Sequence, residues 1–278
     1  MKLLEPIVAW HRDISTIRRD IHAHPELAFE EFRTADVVAA KLQEWGIEIH
    51  RGLGGTGVVG IIRGNLPGER AVGLRADMDA LPMQEENQFE HRSRHDGKMH
   101  GCGHDGHTAM LLAAARHLQT AGGFDGTVYL CFQPAEEGGA GGRAMIQDGL
   151  FERFPCEAVF GMHNMPGLEA GHLGFRAGPM MASQDLLSVT LEGVGGHGSM
   201  PHLSVDPLLA ASSAVMALQS VVARNVDPQR AAVVTVGALQ AGEAANVIPQ
   251  RAVLRLSLRA LEPEVRELQL QRVTAIIR

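Results

Sequence analysis

Apolar residues recur at helical spacing through Trp10, Ile14, Ile17 and Ile21, which predicts a helix over residues 7–22 with Pro25 beyond its end. Val38, Leu42 and Trp45 predict a second helix over 34–45, stopped by Gly46. Short apolar runs bounded by glycine, 57–63 and 71–75, read as buried strands. The stretch 107–119 is rich in Ala and Leu, the strongest helix formers, and ends before Gly122-Gly123. A strand over 127–132, a short helix over 142–148 and a strand over 157–163 follow. Strands alternating with helices predict an α/β domain with a mainly parallel sheet covered on both faces.

The pattern changes near Gly178, and the domain boundary is set between residues 182 and 183. Residues 186–192 alternate as a strand. Asp206-Pro207 opens a helix with Leu208, Ala211, Val215, Leu218 and Val222 on one face, Asp before Pro being a strong start signal. A strand over 231–239 is followed by clean alternation over 252–260, with Ala252, Leu254, Leu256 and Leu258 on one face and Val253, Arg255, Ser257 and Arg259 on the other. A last helix begins near Pro263. Residues 1–182 therefore form one domain and 183–278 an α+β domain of order β-α-β-β-α. A split βαβ (ferredoxin-like) sandwich needs one further strand, so this domain is expected to be incomplete.

With 25 Lys+Arg against 32 Asp+Glu the formal charge is −7, and no basic block stands out, which argues against a nucleic-acid binder. No apolar run approaches the roughly 18 residues of a membrane span, and the N-terminus lacks the features of a signal peptide. Three cysteines do not make a disulfide framework, so a reducing cytoplasm is the expected compartment. The outlier is histidine: of 14 in the chain, His91, His95, His100, His104 and His107 crowd into one short stretch.

Four segments carry candidate chemistry in the first domain. Met99-His100-Gly101-Cys102-Gly103-His104-Asp105-Gly106-His107 is a glycine-rich loop in which a thiolate and an imidazole two residues apart can reach a common centre. Glu136 and Glu137 follow a strand directly; burying two adjacent carboxylates is costly unless a cation is present, and adjacent side chains point apart, so one can hold metal while the other faces substrate. His163 stands at another strand end. Asp77 and Asp79 follow a third strand and are placed to orient a ligand histidine. Cys102, His104, Glu137 and His163 offer sulfur, nitrogen and oxygen, a mix that suits Zn²⁺, Mn²⁺ or Co²⁺ better than Mg²⁺ or Ca²⁺. With no cofactor fingerprint, this implies hydrolysis by activated water, with Glu136 as general base. In the second domain, His197 and Asn246 lie in loops and can both donate to an oxyanion, although on these residues alone plain loop chemistry is the favoured reading.

The stretches His22-Ala23-His24-Pro25-Glu26-Leu27, Arg75 to Pro82, Met99 to His107, Gln133 to Gly139, Phe160 to Pro166, Gly195 to His202 and Asn246 to Pro249 resemble the hippurate hydrolase and N-acyl-amino-acid amidohydrolase family, within the aminoacylase and carboxypeptidase class of dinuclear metallohydrolases. Gly101, where alanine is usual, and Gly198-Ser199, where two small residues are usual, are the departures within the motifs. The resemblance implies a catalytic α/β domain with an inserted lid that forms a homodimer or tetramer. It implies Cys102, His104, Glu137 and His163 as ligands of two divalent ions, Mn²⁺ or Zn²⁺ with Co²⁺ also admissible, and Cys102 as the bridge. It also implies Glu136 as general base, His197 polarising the substrate carbonyl (often from a partner subunit), and Asn246 and Arg259 in substrate contact. In relatives the catalytic domain resumes after the lid with a final ligand histidine, so the chain reads as C-terminally truncated. The expected substrate is a small N-acyl amino acid, with no nucleic-acid or membrane partner. A dipeptidase or N-acetyl-amino-acid deacetylase, and an inactive metal-binding or dimerising fragment, are the alternatives.

Overall fold

The computed structural model describes residues 4–278. The chain divides into two compact units, Met1–Gly171 and His172–Arg278.

The first unit is built on a five-stranded sheet of order β1-β2-β4-β3-β5, formed by β1 (Glu48–Leu53), β2 (Gly57–Arg63), β3 (Leu66–Asp77), β4 (Asp125–Gln133) and β5 (Ala158–Gly161). The α/β class holds, but the sheet is mixed rather than mainly parallel: β1–β2 and β2–β4 are antiparallel, β3–β4 and β3–β5 parallel. The reason is local. Gly54 and Gly55, at φ 62° and 88°, let the chain reverse tightly between β1 and β2, and so short a connection joins only antiparallel neighbours. A helical crossover separates β3 from β4 and makes that pair parallel. Strand β1 escapes the apolar pattern because it is a half-exposed edge with the sequence Glu-Ile-His-Arg-Gly-Leu. Strand β2 is buried along nearly its whole length, as its unbroken apolar run requires.

Helices α1 (Glu5–Ala23), α2 (Phe32–Glu44) and α3 (His104–Ala121) belong to one side of the sheet. There Val38, Leu42, Val58, Ile62, Leu112, Leu130 and Phe132 form the main core. Two short helices, α4 (Gly141–Gln147) and α5 (Leu150–Arg153), supply Met145 and Leu150 to a second cluster with Leu53, Val59 and Cys131. At the far edge all four residues of β5 are exposed. Cys102, Cys131 and Cys156 are free thiols.

The second unit has an antiparallel sheet of order β6-β10-β8, from β6 (Ser183–Glu192), β8 (Ala232–Ala241) and β10 (Arg251–Ala260). Helices α6 (Pro207–Asn225) and α7 (Pro263–Ile277) bury Ala211, Leu218, Val221 and Val273 against Ala252, Leu254, Leu256 and Leu258, the face that alternation predicts. Asp206 caps α6, its carboxylate accepting from the Leu208 and Leu209 N–H groups. A small ribbon pairs β7 (Gly196–His197) with β9 (Val247–Ile248). One correction concerns α6: its length and a mean hydropathy of 1.3 do meet the requirement of a membrane span. Its apolar character has a use within this unit, since Ala211, Leu218 and Val221 cover the sheet.

Candidate metal centre

Strands β3, β4 and β5 run parallel, with Asp77 level with Gln133 and Arg75 level with Gly161, so their carboxyl ends lie along one edge of the sheet. Ligands collect at such an edge. Every sequence-predicted metal residue of the first unit lies just beyond it, on the loops after β3, β4 and β5 or at the start of α3.

Helix α3 starts at His104, earlier than the Ala/Leu run suggests. Gly103 makes this possible: its φ of 86° turns the loop straight into the helix, and a Cβ there would stand 2.5 Å from Asn164 Oδ1. His104 thus sits fully buried in the first turn. Its Nδ1–H donates to Asp79 Oδ1 at 3.2 Å, and Asp79 Oδ2 accepts the Glu137 N–H at 2.8 Å. Asp79 therefore sets both the imidazole and the backbone that carries Glu137. The other ring nitrogen of His104, Nε2, is buried with no hydrogen-bond partner among the described residues. Glu137 Oε1 is 3.9 Å from it.

Cys102 Sγ and His163 Nε2 are 3.3 Å apart. One ligand atom each from Cys102, His104 and His163 falls within 4.8 Å of the others, and the same holds for His104, Glu136 and Glu137. The charge pattern is that of a site built for a cation. Burial and the carboxylates of Glu137, Glu136 and Asp77 push the Cys102 thiol up to about 12. Burial also raises the Glu136 carboxyl, whose tip is exposed, with Glu137 as the next cause. For His104, burial alone would depress protonation, but the Asp79 hydrogen bond and the charges of Asp77, Asp79 and Glu137 outweigh it. A divalent ion reverses the penalty on Cys102, because its charge stabilises the thiolate. The orphaned Nε2 of His104, beside a thiol and two carboxylates, fits such an ion.

Asp77 behaves differently from Asp79. It accepts from His107 Nδ1 at 2.6 Å and lies 2.8 Å from Arg75 Nη1, while its Oδ2 is 3.6 Å from His104 Nε2. Burial pushes its carboxyl up, yet these partners overcome that and hold it near 2. The sequence assigns no role to three supporting residues: His107 and Arg75, which end or begin a motif, and Glu31, which lies outside all of them. Glu31 is buried 104 residues before Ala135, whose N–H it accepts at 2.8 Å; that bond fastens the turn leading into Glu136. No local signal marks a residue acting across such a separation.

Of the crowded histidines, His104 is the predicted ligand, and His107 falls with it and Asp77 in a further candidate group. His91 stacks on Phe89 with ring centroids 4.3 Å apart, and His95 meets His24. His100 is buried, and burial depresses it to about 4. The His22 to Leu27 motif is structural: His22 bridges Asp105 and Glu85, and Glu26 accepts from the Arg33 and Thr34 N–H groups at the start of α2.

In the second unit the β7–β9 ribbon brings His197 beside Asn246, whose carbonyl accepts the Gly198 N–H at 2.7 Å. His197 Nδ1 accepts the Ser199 N–H at 3.2 Å, so in the neutral ring Nε2 carries the proton and is a donor. Arg259 is exposed near the opposite end of β10 from Arg251, level with Gln184 and Val233, and so is not gathered with that pair.

Over 277 residues the chain is 48% identical to hippurate hydrolase of Campylobacter jejuni, covering 99% of this chain and 72% of that protein. It is 43% identical over 261 residues to N-acetyl-L-cysteine deacetylase of Bacillus subtilis, covering 94% of this chain and 62% of that one. The crystal structure of a dinuclear metal binding peptidase from Bacillus subtilis superposes with a TM-score of 0.75 at 36% identity, covering 97% of this chain and 71% of that one. Residues 73–260, which carry every candidate ligand as well as His197, Asn246 and Arg259, match the model of peptidase family M20/M25/M40, and the chain belongs to that family as a metal-dependent enzyme acting on amides.

Proposed function

We propose that the chain hydrolyses the amide bond of small N-acyl amino acids, hippurate-like compounds among them. The observation that carries this is the buried, unpartnered Nε2 of His104 next to Cys102, His163 and Glu137, with the raised carboxyl of Glu136 alongside. Similarity to a hippurate hydrolase and an N-acetyl-L-cysteine deacetylase supports the substrate class.

In this reading Cys102, His104, Glu137 and His163 hold two divalent ions, Mn²⁺ or Zn²⁺. Bound there, the ions supply Lewis acidity, which lowers the pKa of the attacking water and withdraws charge from the scissile carbonyl. Glu136 takes the proton from that water and hands it to the departing amine. Its carboxylate, beside His104 and Glu137, is placed for both transfers. His197 donates from Nε2 to the carbonyl oxygen, and Asn246, beside it on the ribbon, contacts the substrate. The protein works as a homodimer or tetramer joined through the second unit, in the cytoplasm, where free thiols persist.

The substrate reading is tested by presenting a panel of N-acyl amino acids, dipeptides and N-acetyl amino acids to Mn²⁺- or Zn²⁺-loaded protein with detection of free amine. Turnover of aroyl or acyl glycines is expected, and turnover of dipeptides alone would replace it with a dipeptidase. The role of His197 is tested by mixing inactive Glu136→Gln and His197→Ala subunits. Recovered activity places His197 on a partner subunit; none, in verified heterodimers, refutes that placement.

A further inference from the structure

His107 lies one helical turn beyond His104 and is buried, yet it has no part in the reaction as described. Its two nitrogens are both engaged. Asp77, an ionised carboxylate that can only accept, takes the Nδ1–H at 2.6 Å. That fixes the tautomer, so Nε2 is an acceptor, and it receives the Asn164 N–H at 3.0 Å. The carbonyl of that same residue accepts the His163 Nδ1–H at 2.6 Å. His163 is thereby left with its Nε2 lone pair toward Cys102 Sγ, 3.3 Å away. The His107 and His163 rings also meet edge to face, with centroids 4.6 Å apart.

We propose that His107 is a positioning residue: through the backbone of Asn164 it fixes the tautomer and ring direction of His163. The proposal rests on the reading of His163 as a ligand. The need for such a device is visible in the fold. His104 is held by its own helix, whereas His163 is exposed on the loop that follows the edge strand β5. A ligand imidazole whose far nitrogen is hydrogen-bonded is oriented and made more basic, and losing such a partner typically costs about 10–100-fold in metal affinity.

Two near-isosteric substitutions separate the ring's two bonds. His107→Asn can keep a donor toward Asp77 but has nothing to accept the Asn164 N–H. His107→Gln can carry an amide oxygen to the Nε2 position and keep that acceptor. The first readout needs no metal: long-range ¹H–¹⁵N spectra of His163 in metal-free protein, in alkaline buffer where free imidazole (pKa ~6.5) is neutral. The parent and His107→Gln are expected to show the Nδ1–H tautomer, and His107→Asn a mixture. The second readout is Mn²⁺ affinity by calorimetry, expected to fall about 10–100-fold in His107→Asn and to stay near the parent value in His107→Gln. An unchanged tautomer in His107→Asn, or equal losses in both variants, overturns the proposal. Should neither variant fold, a nitrogen–nitrogen coupling across the Asn164 N–H to His107 Nε2 bond is measurable in the parent, and its absence also overturns it. A His163→Ala control that binds Mn²⁺ as the parent does would refute the ligand reading, while the tautomer result still decides the clamp.

Discussion

Replacing Asp105 with Asn should destabilise the metal-free protein in a way that depends on pH in both directions. Asp105 is 1% exposed and accepts from His22 Nδ1 at 2.9 Å and Arg18 Nε at 3.0 Å, tying α3 to α1. Burial pushes its carboxyl up from 3.8, but the His22 hydrogen bond and the charges around it win and hold it at about 2. A depression of that size is worth about 2 kcal/mol at roughly 1.4 kcal/mol per pKa unit. Because the folded value lies below the unfolded one, this stabilisation is present above 3.8 and is lost as pH falls toward about 2. His22 is shifted the other way, raised from 6.5 chiefly by the Asp105 hydrogen bond. Its contribution is complete below 6.5 and is lost as pH rises through the raised value. The two overlap between 3.8 and 6.5, so the gap between parent and Asp105→Asn should be widest there and narrow on both sides. Urea unfolding of chelator-treated protein at about pH 3, 5.5 and 9 measures it, with a difference of about 2 kcal/mol expected in the middle. Parallel stability curves for the two proteins would refute the ion-pair argument.

Cys102→Ala should lower Mn²⁺ or Zn²⁺ content and abolish hydrolysis, and metal binding by the parent should release a proton that the variant does not, since the metal-free thiol is held near 12. Glu136→Gln should keep its metal while turnover falls by about 10²-fold or more, whereas Glu137→Gln should lose metal first; elemental analysis beside the activity assay distinguishes them, and the opposite pattern would exchange their roles. Asp206→Ala removes the acceptor for the Leu208 and Leu209 N–H groups and should cost about 1 kcal/mol in urea unfolding, with metal content unchanged.

The sequence by itself determined what depends on local chemistry. The 3.6-residue spacing of Trp10, Ile14, Ile17 and Ile21 marks α1, the period-2 pattern from Ala252 to Leu258 marks the buried face of β10, and Asp206-Pro207 marks the start of α6, because each is a choice made within a few residues. The clustering of Cys102, His104, Glu136, Glu137 and His163 was legible for a similar reason: the residue types are those of metal-ligand chemistry, and glycines and strand ends flank them. Tertiary structure alone decided the strand order β1-β2-β4-β3-β5 and its antiparallel half, because pairing depends on which strands meet, and no strand encodes its neighbour. It also decided which histidines face the centre. His100 and His104 belong to one motif, yet His100 is buried with no hydrogen-bond partner among the described residues, while His104 is held by Asp79 from the loop after β3. Glu31, Asp77 and His107 gain their roles only because folding brings together groups 104 residues apart, as in Glu31 and Ala135, or 57 apart, as in His107 and Asn164. A hydrogen bond of that kind has no period and no spacing; its energy comes from burial and geometry, which exist only once the sheet has assembled.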